Sequence, residues 1–80
     1  MHPDKIRALI CAALPDADVI VRTDDQTHFE ARVVAPQFVG KRSIARHQMI
    51  YAALGALVGR EIHALSIEAL TPEEAAGGAR

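Results

Sequence analysis

Residues 36–67, PQFVGKRSIARHQMIYAALGALVGREIHALSI, constrain the fold of this chain more than any other stretch. Ile44, His47, Ile50, Tyr51, Leu54, Leu57 and Val58 recur at the three-and-four spacing of one helical face and predict a helix of about four turns. Ser43 stands where an N-cap side chain accepts from the first backbone N–H groups, and Gly59 stands where a left-handed residue ends a helix. Ahead of the helix, PQFVG reads as a tight connector, with Phe38 plugging the core and Gly40 in a backbone conformation that a larger residue resists. After it, IHALSIEAL alternates, with His63, Leu65, Ile67 and Ala69 on one side, and predicts a buried strand that opens at His63. The residues before this unit then have to supply what covers it.

They do so with a helix and a hairpin. Pro3 fits the first helical turn, where its missing N–H costs nothing, and Asp4 adds negative charge at the positive end of the macrodipole. Ile6, Leu9, Ile10, Ala13 and Leu14 form an apolar stripe, so a helix is expected from Pro3 to Leu14, stopping at Pro15. Two β-prone segments, VIVRT and HFEARVVA, flank the polar run DDQT and read as a hairpin. Phe29, Ala31, Val33 and Ala35 share its core face, and His28, Glu30, Arg32 and Val34 the other. Thr71-Pro72-Glu73-Glu74 has the form of a helix cap, but AAGGAR has too little apolar content to dock a helix, so residues 71–80 are expected to fray. The order helix, strand, strand, helix, strand gives one α+β domain over residues 1–80. A right-handed crossover brings the third strand parallel to one hairpin strand, making a three-stranded mixed sheet with both helices on one face.

Eighty residues suffice for one modest core. Half the chain is apolar, mostly aliphatic, with Phe29, Phe38 and Tyr51 its only aromatics, so no deep active-site cavity is expected. Net charge is -1, with nine basic and ten acidic residues spread along the chain, and no whole-molecule field draws it to nucleic acid or membrane. The single Cys11 permits no internal disulfide and reads as a small helical side chain rather than a reactive thiol. The opening residues lack a signal-peptide pattern, and no run approaches the ~20 apolar residues of a membrane span. A soluble cytoplasmic protein without a membrane partner is expected. There is no Gly-rich phosphate loop and no nucleophile with a base at recognisable spacing. The adjacent carboxylates Asp24 and Asp25 read as turn chemistry rather than an acid–base pair. An enzyme, or a small-molecule substrate, is not expected.

Taken together, THFEARVVAPQFVGKRSIARHQMIYAAL and REIHALSIEALTPEE resemble the BolA family. The first carries its His-Phe, Phe-x-Gly-Lys and Arg-His-x-x-Tyr pattern, and the second its closing His-Ala-Leu strand with Thr-Pro-Glu-Glu. The short hairpin loop resembles the branch typified by acid-resistance BolA-like proteins. The resemblance implies a class II KH-like fold, which agrees with the element order above. It also implies a monothiol glutaredoxin as partner, with a [2Fe-2S] cluster held between the glutaredoxin cysteine, glutathione and ligands from this chain. The ligand shared across the family maps onto His63. The family's second ligand, a Cys or His, comes from the hairpin loop, which here is Asp24, Asp25, Gln26 and Thr27 and offers neither; the nearest imidazole is His28.

Four dispersed histidines cannot complete an iron site alone, which favours a shared cluster over a private one. From the residues alone His63 is a strand-end side chain bonded to backbone; the resemblance makes it a ligand. For His28 both readings stand. His47 lies beside the apolar stripe as a structural histidine, and its Arg-His motif makes it partner-facing. His2 belongs to a mobile terminus and has no role. Phe38, Gly40, Lys41, Arg46 and Tyr51 shape the face beside the ligands. In the alternative reading, Lys41, Arg42 and Arg46 at the start of the long helix bind DNA phosphates, since a few BolA-like proteins are regarded as transcriptional regulators. Against it, a Gly-x-x-Gly clamp and an aromatic platform are missing.

Overall fold

Pro3 and Asp4 begin the first helix as expected. In the computed structural model, which describes residues 1–78, α1 spans Pro3–Ala13. Its N-cap is His2, whose Nδ1 accepts the Asp4 N–H at 3.1 Å, so a residue expected to have no role closes the helix end. Ile6, Ile10 and Leu14 are buried and Leu9 is partly so, whereas Ala13 falls off the stripe and is exposed. Each fully buried side chain of this size contributes roughly 1.5–3 kcal/mol.

The hairpin forms from β1 (Asp18–Thr23) and β2 (His28–Val34), antiparallel, with Val19 opposite Val33 and Thr23 opposite Phe29. The alternation holds: Phe29, Ala31, Val33 and Ala35 are buried while His28 and Glu30 face water. β3 (Ala64–Leu70) runs parallel to β2, pairing His28 with Ala64 and Phe29 with Leu65. The sheet order is therefore β1-β2-β3, a three-stranded mixed sheet with β2 at its centre. Leu65, Ile67 and Ala69 turn toward α1 and the second helix, which share one core with Phe29, Ala31 and Val33. The open face carries charge instead, and Arg32 Nε meets Glu68 Oε1 there at 3.2 Å.

The second helix, α2, spans Ser43–Leu54 and ends a turn earlier than Gly59. Gly55, at φ 58°, leaves the helical path there, in a region that costs other residues about 1 kcal/mol or more. A 3-10 turn, Gly55–Leu57, follows, and Val58 bridges back to Ile62 across a small loop with Gly59 inside it. Leu57 and Val58 thus lie outside the helix. Ser43 is its first residue rather than its cap; Arg42 occupies the N-cap position without a side-chain bond. Only Ile50 and Leu54 of the expected stripe are fully buried on α2, while Ile44 is 70% exposed and Tyr51 40%.

Between β2 and α2, Pro36–Phe38 form a 3-10 turn that drops Phe38 into the core, completely buried, and Gly40 follows at φ 79°. After β3, Thr71 N–H donates to Glu74 Oε1 at 2.9 Å and Glu74 N–H donates to Thr71 Oγ1 at 3.2 Å, a reciprocal capping box. A π-type turn, Glu74–Gly78, follows. Polar bonds thus dock the start of the segment expected to fray, residues 71–80, where apolar surface is scarce; residues 79–80 lie outside the described residues.

Candidate functional site

Two adjacent residues of opposite character build the site. Ile62 is fully buried, and its N–H donates to Leu57 O at 3.0 Å, pegging the chain into the core. His63, next in line, is exposed at the entrance to β3. Its backbone N–H donates to Thr27 O at 3.0 Å, and Ala64 N–H reaches the same oxygen at 3.3 Å. The His63 backbone is therefore fixed to the end of the hairpin loop, while its ring stands outside the side-chain hydrogen bonds formed among the described residues. An exposed neutral imidazole has a ring nitrogen that can accept a proton or a metal.

That loop also holds His28. Thr23 Oγ1 donates to His28 O at 2.7 Å and accepts the Gln26 N–H at 2.9 Å, and Gln26 adopts φ 64° to close the turn. Asp25 Oδ1 accepts the N–H groups of Thr27 (3.0 Å) and His28 (2.9 Å), while Asp25 Oδ2 lies 2.7 Å from His28 Nδ1. The His28 N–H, then the Thr27 N–H, then the His28 ring hold the Asp25 carboxyl well below the usual carboxylate range. Asp25 is thus a turn acceptor, as expected of the Asp24–Asp25 pair, and in addition a ring partner, which spacing alone did not reveal.

His28 borders an open cleft of about 510 Å3 with Arg22, Asp24, Glu30 and Ser66, whereas His63 is not on its wall. β3 begins at Ala64, opposite His28, so His63 lies in the bend just before the strand that was expected to open with it, and strand parity does not set its ring. The structure brings the two imidazoles to one end of the sheet without aiming both into one pocket. Among the described residues, no group of three or more His, Cys, Asp or Glu side chains is assembled to hold a metal. Cys11 packs against the core from α1. The donors present, two exposed imidazoles without a thiolate beside them, fit part of a coordination shell and not a whole one.

The second group of expected site residues divides. Lys41 and Arg42 are exposed at the start of α2, and Gly40 is exposed beside them. Arg46 points inward: its Nε donates to Lys41 O at 2.8 Å, its Nη1 to Ala69 O at 3.0 Å and to Glu74 Oε1 at 2.7 Å, and its Nη2 to Glu74 Oε2 at 3.3 Å. Its guanidinium carbon also stands 5.8 Å from the Phe38 ring centroid. Arg46 therefore ties α2 to the segment after β3 and leaves the cationic patch with two exposed members, Lys41 and Arg42. Phe38, sealed in the core, offers a partner no surface and supports the turn from beneath. His47 is half-buried and Tyr51 exposed, on α2. Charge is also less even than its totals: no Asp or Glu occurs in residues 31–60, where Arg32, Lys41, Arg42, Arg46 and Arg60 fall.

A family model described as BolA-like protein matches residues 12–74. A protein of Acinetobacter guillouiae, described as an uncharacterized protein in the rpoN-murA intergenic region, is 39% identical over 75 residues, covering 92% of this chain and 89% of its own length. The DNA-binding transcriptional regulator BolA of Haemophilus influenzae is 39% identical over 49 residues, which is 61% of this chain and 48% of that protein. The structure of a bolA protein homologue from Coxiella burnetii superposes with a TM-score of 0.83 at 36% identity, covering 95% of this chain and 97% of that one. Other relatives are longer, and the match covers 33% of the chloroplastic BOLA1 of Arabidopsis thaliana. The match to most of the chain and the shared helix–hairpin–helix–strand architecture establish that this chain belongs to the BolA family.

Proposed function

We propose that this chain partners a monothiol glutaredoxin and supplies imidazole ligation to a [2Fe-2S] cluster shared between the two proteins, in cluster trafficking or iron sensing. The observation that carries the reading is His63, an exposed ring on a backbone fixed at both ends, by the Ile62 peg and by Thr27 O. His28 is the second ligand at the same end of the sheet. When bound, the cluster supplies an electron-accepting and sulfide-bearing centre, and imidazole in place of thiolate raises its potential. This chain's part is to present nitrogen; thiolates come from the partner and glutathione, because its single cysteine, Cys11, is half-buried against the core from α1. The test is retention of the chain on immobilised glutaredoxin in the presence and absence of iron and sulfide. Iron-dependent retention that persists in Cys11→Ser and is lost in His63→Ala supports the reading, and retention indifferent to iron contradicts it.

One observation favours a second reading, a DNA-binding regulator: the Haemophilus relative is so described, and Lys41 and Arg42 are exposed at the α2 N-terminus. With Arg46 withdrawn, two cations remain there, and two phosphate contacts give a salt slope of only about -2. A gel shift at two salt concentrations separates the readings. Selective binding that survives physiological salt and is lost in Lys41→Ala with Arg42→Ala supports the regulator; binding that vanishes with salt reduces it to a cationic patch.

A further inference from the structure

We infer that Asp25 is the positioning residue for His28: it fixes the ring in the tautomer protonated on Nδ1 and leaves Nε2 as the nitrogen available to a metal. The inference rests on the cluster-sharing reading above, in which His28 is a ligand. The hairpin loop contains no Cys or His of its own, and what it contributes instead is orientation of the imidazole at its end.

A carboxylate only accepts hydrogen bonds, so at 2.7 Å from Asp25 Oδ2 the proton belongs on His28 Nδ1. The carboxylate cannot swing away, because its other oxygen is already committed to the Thr27 and His28 N–H groups. Thr27 Oγ1 lies 3.1 Å from the same ring nitrogen, and its lone pairs tolerate the same proton. No hydrogen bond forms to Nε2 among the described residues, and the His28 side chain is 66% exposed. A carboxylate on the far nitrogen of a ligating imidazole fixes the ring's orientation and raises its basicity, and losing such a group costs about 10–100-fold in metal affinity. Here the carboxylate is in place before any metal arrives, three residues from the imidazole it orients.

The discriminating variant is Asp25→Asn. The carboxamide oxygen keeps the two backbone N–H bonds of the turn, while its NH2 group takes the place of Oδ2 and donates to Nδ1, driving the ring proton to Nε2. Long-range 1H–15N spectra of the isolated chain at alkaline pH read this without any cluster. The native ring should show a pyrrole-like Nδ1 and a pyridine-like Nε2, and Asp25→Asn should exchange the two, with the Thr27 and His28 amide signals reporting an intact turn. With monothiol glutaredoxin, iron and sulfide, Asp25→Asn should weaken the cluster-bridged complex by about tenfold or more and shift its visible circular dichroism toward that of His28→Ala. A native ring protonated on Nε2, or a tautomer unmoved by Asp25→Asn, overturns the positioning role even if His28→Ala disturbs the cluster. An expected tautomer exchange with a cluster unaffected by His28→Ala removes His28 from the centre and overturns the delivery of Nε2 to metal.

Discussion

The Arg46 guanidinium grips Glu74 through both carboxylate oxygens, at 2.7 and 3.3 Å, and so ties α2 to the turn that follows β3. The same side chain satisfies the Lys41 and Ala69 carbonyls and lies over Phe38. With a side chain only 12% exposed, Arg46 is part of the core's lid and not part of a binding patch. Arg46→Ala should lower the unfolding free energy by about 2 kcal/mol or more, from the two carbonyls and the ring contact it abandons. Lys41→Ala should stay within about 0.5 kcal/mol, as for an unengaged surface residue. Urea denaturation of both variants checks the contrast, and equal effects would refute it.

The clasp also carries a pH signature. The Arg46 guanidinium first, then the Thr71 N–H, hold the Glu74 carboxyl below its ordinary value of 4.5. As pH falls below that value, the unfolded chain takes up the proton before the native state does, so the native state loses relative stability. The contribution is fully present above the ordinary value and disappears as acid titrates the native carboxyl. Thermal midpoints measured between about pH 6 and 3 should fall more steeply for the native chain than for Glu74→Gln; parallel curves would contradict this account.

Phe38 sits fully buried at the junction of the connector and the core. Phe38→Ala should cost about 3–5 kcal/mol through lost transfer energy and the cavity left behind. Against the roughly 5–15 kcal/mol typical of a domain, that is between about a fifth and all of the stability. Equilibrium urea unfolding followed by far-UV circular dichroism measures it, and a loss under 1 kcal/mol would mean the site collapses around the hole.

Gly40 provides the contrast two residues on. Its φ of 79° suits glycine, yet nothing lies within 4 Å of where a Cβ would stand. Gly40→Ala should therefore cost only the backbone penalty, about 1–2 kcal/mol, without a steric term. The same unfolding experiment should rank it clearly milder than Phe38→Ala.

The fold was legible where one rule dominated. β2 and the residue after it alternate over four turned-in side chains, Phe29, Ala31, Val33 and Ala35, and one buried face leaves no second register. Pro36, Phe38 and Gly40 mark the connector for reasons each residue states alone. The end of α2 was not legible, because Leu57 and Val58 continue the helical period through the point where Gly55 departs from it; beyond that point Leu57 O instead accepts the N–H of the buried Ile62, a contact the helical period does not announce. Arg46 was misplaced for a similar reason. Next to Lys41 and Arg42 in sequence it reads as a third surface cation, and its partners, Ala69 and Glu74, come from the far side of the crossover. For the candidate site, His63 was found through family resemblance rather than chemistry, and the Asp25–His28 contact depends on the positive φ of Gln26, which no residue type announced.

The most direct test of the shared-centre account is the visible circular dichroism of this chain reconstituted with monothiol glutaredoxin, glutathione, iron and sulfide. The account predicts a spectrum unlike that of the glutaredoxin homodimer, and reversion to the homodimer spectrum with His63→Ala, whose far-UV spectrum stays native. A mixed-complex spectrum that His63→Ala leaves unchanged would contradict it.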